Sequence, residues 1–164
     1  MSKLKVWSQK QIEELGQRYW TCKVEYDLIL TASQMTDILT GCFEGGSNYW
    51  IEGHVRMLEM EKGVEIPYGD LFASDWVAIG GKVAIPVRDD SQNIIVKHNH
   101  IKNDVEDPDI VFYVLVDCIL DAEALFEGYK LFHNKNQDLA FEDMDASDYD
   151  AILQYALFGE VVYG

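Results

Sequence analysis

The run Glu44-Gly45-Gly46-Ser47-Asn48-Tyr49-Trp50 constrains this chain more than any other stretch of it. Residues 32–43 carry the apolar spacing of an amphipathic helix. Glycine accepts a left-handed helix end without steric cost, so Gly45-Gly46 is expected to stop that helix. Tyr49 and Trp50 follow at once. They bring a large area to bury and polar edges that need partners. This corner is expected to organise the fold, with Tyr49 and Trp50 packed against a C-terminal helix near Tyr155 and Phe158.

A chain of 164 residues is long enough for one domain with a full core. The composition, 48% hydrophobic and 26% charged, is that of a globular protein. Cys22, Cys42 and Cys118 each lie in an apolar segment and form no Cys-x-x-Cys, which reads as buried thiols in a reducing compartment. No apolar run reaches the ~20 residues of a membrane span, and no signal core follows the N-terminus. A cytoplasmic protein is expected.

The formal charge is −16, and it is unevenly placed. Residues 104–150 hold 14 acids against only Lys130 and Lys135, a net of −12. Such a field repels nucleic-acid phosphates and suits a basic partner surface.

The chain reads as α+β, a single domain with a mainly antiparallel sheet. Helices are expected near 8–20, 32–44, 120–133 and 146–158. Strands are expected near 22–30, 49–57, 82–88, 94–101 and 110–116. Thr31 with Gln34 forms a capping box opening the second helix, whose core face is Met35, Ile38, Leu39 and Cys42. Residues 22–30 alternate strictly. Asp89-Asp90-Ser91-Gln92-Asn93 reads as the turn of a hairpin between 82–88 and 94–101. Gly128 weakens the third helix, and Gly159 stops the last.

Four constellations bear on chemistry. His98 and His100 at i, i+2 on a strand share a face, and Asp104, Glu106, Asp107 and Asp109 follow; this is the pattern of a metal edge, or of a polar strand end running into solvent. The run Glu142, Asp143, Asp145, Asp148, Asp150 has clustered carboxylates but neither the glycine nor the spacing of a calcium loop. Helix capping and solubility explain it. The glycine pairs Gly45-Gly46 and Gly80-Gly81 fit no phosphate loop. Tyr49, Trp50 and Trp76 could wall a pocket if the two glycine corners face each other, although aromatics mostly serve the core. No nucleophile motif is present. A binding role is therefore favoured over an enzymatic one, and no cofactor is expected.

Two blocks together resemble a family of small phage and prophage proteins. One is Glu44-Gly45-Gly46 with Tyr49-Trp50, preceded by Thr31-Ala32-Ser33-Gln34 and Asp37-Ile38-Leu39. The other is Asp150-Ala151-Ile152, Gln154, Ala156-Leu157-Phe158-Gly159-Glu160 and the ending Tyr163-Gly164. Ala73-Ser74-Asp75 with Gly80-Gly81, and Ile119-Leu120 with Gly128-Tyr129-Lys130, are weaker shared blocks. The resemblance covers most of the chain from residue 31. The N-terminal helix and the His98/His100 segment lie outside it. The family has no established activity, so it implies no catalytic residues. It implies a phage-encoded accessory protein acting in the host cytoplasm by interaction.

The expected function is thus a non-enzymatic acidic protein that binds a host macromolecule, such as a host protein with a basic nucleic-acid-binding surface. Asp104, Glu106, Asp107, Asp109, Glu142, Asp143, Asp145 and Asp148 would imitate phosphates. Direct nucleic-acid or membrane binding is not expected, and base rates favour a homodimer. One alternative is a binder of a small, nucleotide-type ligand with Tyr49, Trp50 and Trp76 as walls. Another is a metal-dependent enzyme using His98 and His100.

Overall fold

In the computed structural model, residues 8–16, 25–58, 71–96, 101–102, 105–106 and 110–164 are described. The architecture is α+β. The elements in chain order are α1 (Gln9–Gly16), α2 (Ala32–Gly41) running into a π-helical turn (Cys42–Gly46), β1 (Arg56–Leu58), α3 (Ala73–Ala78) and β2 (Lys82–Val96). There follow β3 (Ile101–Lys102), β4 (Val105–Glu106), β5 (Ile110–Leu120), α4 (Ala122–Lys135), a 3-10 turn (Phe141–Asp143) and α5 (Ala146–Phe158). The sheet is antiparallel in the order β1-β2-β5, with β3 and β4 forming a separate small ladder. Among the described residues no helix is long and apolar enough to cross a membrane.

The helix starts are written in local side chains. Thr31 Oγ1 accepts from Gln34 N–H at 3.2 Å, and Gln34 Oε1 accepts from Thr31 N–H at 2.9 Å, the reciprocal bonds of the expected capping box. Asp121 caps α4 by accepting from Ala124 N–H at 2.8 Å. Asp145 and Asp148 form a second capping box at the start of α5. Past the other end of α5, Gly159 takes a left-handed conformation at φ 74°.

One face of the sheet meets the helices. Val83, Ile85 and Val87 of β2 and Leu120 of β5 are buried against Ile38, Leu39, Trp76, Val77, Leu125, Phe132, Ile152 and Leu153. The alternation of β2 sends these side chains inward, and the apolar stripes of α2, α4 and α5 cover them.

Three strand expectations are corrected. Within 22–30, the described residues 25–30 belong to no helix or strand and pair with no strand among the described residues. Leu28 and Leu30 pack on the core, whereas Tyr26 and Ile29 are exposed. Alternation arises from any extended chain laid on a core and does not require a ladder. Residues 49–57 are not a strand: 47–50 form a turn, Ile51 makes one bridge to Val87, and only Arg56–Leu58 pair with β2. The hairpin 82–88/94–101 is also wrong. Residues 82–96 are one strand whose return is β5, in register from Val83↔Leu120 to Val96↔Ile110. The polar run 89–93 is a bulge within it, where the register jumps from Asp89↔Val114 to Ile94↔Phe112. There Asp89 Oδ1 accepts from Ser91 N–H at 3.1 Å and Ser91 Oγ–H at 2.6 Å, satisfying locally what the ladder leaves open.

Helices α4 and α5 cross at Gly128. A Cβ at this position would lie 2.5 Å from Ala156 N and 2.6 Å from Ile152 O, so only glycine permits the crossing. Gly128→Ala gains about 1 kcal/mol of helix propensity, yet overpacking against backbone costs about 1–3 kcal/mol or more. We expect a lower melting temperature for Gly128→Ala; a rise would contradict the close crossing.

Candidate functional site

The corner closes on one carboxylate. Asp150, one turn into α5, is 6% exposed. Its Oδ1 accepts from Ser47 Oγ–H at 2.5 Å and Trp50 Nε1–H at 2.7 Å. Its Oδ2 accepts from Tyr49 O–H at 2.6 Å and Gln154 Nε2–H at 2.8 Å. Gln154, wholly buried, carries the network onward. Its Nε2 also donates to Tyr163 O at 2.9 Å, and its Oε1 accepts from Val162 N–H at 2.8 Å and Tyr163 N–H at 2.7 Å. Two side chains at i, i+4 on α5 therefore hold both the corner and the C-terminal tail.

Three donors within four residues reach the same carboxylate. In a strand Tyr49 and Trp50 would point to opposite faces, so this convergence requires a turn. Gly45 supplies part of it with φ 154°. Gly46 supplies the rest, because a Cβ there would sit 2.7 Å from Gly41 O. Trp50 stacks on Tyr163 with centroids 5.4 Å apart and meets Phe158 edge-on at 5.7 Å. The expected packing of the corner on the end of α5 is found at Phe158, and Tyr163 rather than Tyr155 is the second ring.

Burial and the bond to Asp150 push the Tyr49 phenol up to about 12, although the residue as a whole is 54% exposed. Burial pushes the Cys42 thiol up to about 12 as well. Neither group is a nucleophile at neutral pH.

A cavity of about 610 Å³ opens on the outer side of the corner, between α2, residues 51–55 and the start of α3. Phe43, Ile51, Val55 and Phe72 give it apolar walls, and Glu44 and Asp75 give it carboxylates. Thr40 Oγ1–H donates to Ser74 Oγ at 3.1 Å along one wall. The lining includes His54 but, among the described residues, no lysine or arginine.

The expected pocket residues stand elsewhere. Trp50 (2% exposed) and Trp76 (1%) are core residues and line no part of this cavity. Trp76 donates Nε1–H to Leu58 O at 3.0 Å and Lys82 O at 3.1 Å, its ring lying against Gly81. Tyr49 is tied to Asp150. The two glycine corners thus use their aromatics to hold the fold, and the cavity is walled by what surrounds them. Thr36 and Thr40, at i, i+4 on α2 away from Ile38 and Leu39, were the available signal for its hydroxyl side.

Of the acidic residues, Asp145 and Asp148 cap α5. Bonds from the Ser147 hydroxyl and from the Asp148 and Ser147 backbone hold the Asp145 carboxyl below its ordinary range. Glu142 and Asp143 are exposed on the 3-10 turn and make no ion pair among the described residues. Asp150, expected to belong to this solvated run, is its buried exception. Its signal was the i, i+4 partner Gln154 among Ile152, Leu153 and Leu157. Asp104, Asp107, Asp109, His98 and His100 lie outside the described residues, as does the side chain of Glu106. Among the described residues no three His, Cys, Asp or Glu side chains converge as a metal site requires.

Comparison with protein-family models, curated proteins and solved structures finds no match to this chain. The Glu44–Trp50 corner and the C-terminal segment from Asp150 meet in space: Tyr49 and Trp50 bond to or stack with Asp150, Gln154 and Tyr163.

Removing the carboxylate leaves the Ser47 hydroxyl and the Trp50 indole N–H buried without an acceptor, at about 1–3 kcal/mol each, and takes from Gln154 Nε2 one acceptor while Tyr163 O remains. We expect Asp150→Ala to lower the unfolding free energy by about 3 kcal/mol or more, read as a shifted urea midpoint by tryptophan fluorescence. An unchanged midpoint would show that the network is not the tie described.

Proposed function

We propose that this chain is a non-enzymatic binding protein that offers an acidic surface to a basic macromolecular partner, in keeping with a phage accessory protein acting on a host component. The observation that carries this reading is the exposed turn at Glu142 and Asp143, engaged in no ion pair among the described residues, within a segment of 14 acids and two lysines, net charge −12, of which Asp117 is paired with Arg56 and Glu127 with Lys130. An unneutralised acidic surface raises the association rate with cationic partners and repels nucleic acid. Imitation of nucleic-acid phosphates is the specific form of this proposal.

The reversal Glu142→Lys with Asp143→Lys tests it, because these two side chains do not cap α5. A host partner captured by the native protein at low salt should be released at about 0.5 M salt, where the screening length falls to roughly 4 Å. The double variant should retain less than a tenth as much. Capture indifferent to both salt and charge reversal contradicts the proposal.

The cavity supports a second reading, a small-ligand site, and narrows its ligand. Two carboxylates, with no lysine or arginine among the described lining residues, disfavour nucleotides and other phosphates. Apolar and aromatic walls beside Glu44 and Asp75 suit an organic cation, an amine or guanidinium on an apolar body. Aromatic amines are expected to raise the melting temperature and nucleotides to leave it unchanged. The reverse ranking, or no shift with any amine, removes this reading.

A further inference from the structure

The free edge of the sheet is unusual for an acidic chain. β5 is an edge strand, and among the described residues no strand pairs with its outer side. Edge strands are normally protected by charge, proline or a covering element. Here the segment Ile110-Val111-Phe112-Tyr113-Val114-Leu115-Val116 contains no charged residue, in a protein of net charge −16. Phe112, Tyr113, Leu115 and Val116 are between 41% and 54% exposed. These four side chains lie two on either side of Val114, and Ile119 further along β5 is 51% exposed.

We propose that β5 pairs antiparallel with β5 of a second copy of this chain, across a twofold axis at Val114, joining two three-stranded sheets into one. The symmetry of the segment selects this occupant. Rotation about Val114 sets Phe112 opposite Val116 of the partner subunit and Tyr113 opposite Leu115 of the partner subunit. Both are apolar cross-strand pairs on a shared face, the kind that stabilises a ladder. The nearest acid, Asp117, falls opposite Val111 of the partner subunit, so no like charges meet along the strand. Elsewhere two copies carrying −16 each repel one another. The segment itself carries no acid, and the Arg88 guanidinium lies 3.7 Å from the centroid of the Tyr113 ring, so two acidic copies can approach here; an isologous contact needs one self-complementary patch of this kind. Pairing also satisfies the outward N–H and C=O groups of β5, which a foreign strand would do without using the symmetry.

The test is the mass of the purified full chain by light scattering after gel filtration at about 50 µM, a concentration at which a specific interface of ordinary size is populated. The native protein should run at twice the 18.8 kDa chain mass. Leu115→Glu sets an acid on each side of the axis and should give the monomer mass with an unchanged far-ultraviolet spectrum. If Leu115→Glu fails to fold, Phe112→Glu serves in its place. Leu131→Glu, a control at an exposed apolar residue of α4, should remain dimeric. A native monomer overturns the proposal and leaves the edge to a foreign strand. A Leu115→Glu protein that stays dimeric overturns it too, since the interface then lies elsewhere.

Discussion

A buried carboxylate with four neutral donors sets the arrangement of this molecule. Asp150 has no cation among its hydrogen-bond partners, so Ser47, Tyr49, Trp50 and Gln154 must all be held in place around it. A buried acid is tolerated only when its oxygens are fully bonded. That requirement fixes the turn at 47–50, the direction in which the chain leaves α2 and the seat of the C-terminal tail on Gln154. The sheet and the remaining helices supply most of the buried apolar surface. The carboxylate supplies specificity, since a corner placed otherwise would leave several polar groups buried and unpaired.

The parts of the fold that were legible in the sequence rest on local rules. The capping box at Thr31 and Gln34, the inward stripe Ile38, Leu39 and Cys42, the span of α5 and its stop at Gly159 need nothing beyond neighbouring residues. The misread parts are those where a distant group decides. Tyr49 and Trp50 looked like a strand start because their shared target lies 100 residues downstream. Asp89 to Asn93 looked like a turn because a bulge and a turn use the same polar residues, and only the β5 partner distinguishes them. Gly128 looked like a defect in a helix, whereas the backbone of α5 occupies the space its side chain would need.

The same division applies to function. The acidic excess is a property of the sequence, but its sorting is not. Asp145 and Asp148 are committed to the start of α5 and Asp150 to the core, whereas Glu142 and Asp143 are exposed and make no ion pair among the described residues. The aromatics of the motif serve burial, and the cavity beside them takes its character from Glu44, Asp75 and apolar side chains. The eye-catching motif is thus the frame of the candidate sites and not their contact surface. Tyr49, Trp50, Asp150, Gln154 and Tyr163 are residues that hold the fold.

The central claim is that Trp50 and Gln154 act together through Asp150, although neither is bonded to the other. A double-mutant cycle on unfolding free energy with Trp50→Phe and Gln154→Leu measures that directly. Residues that share one network couple by about 0.5–3 kcal/mol, whereas independent sites add to within about 0.5 kcal/mol. The account predicts that the second substitution costs less once the first has been made, by an amount in that range. Strict additivity of the two would contradict it.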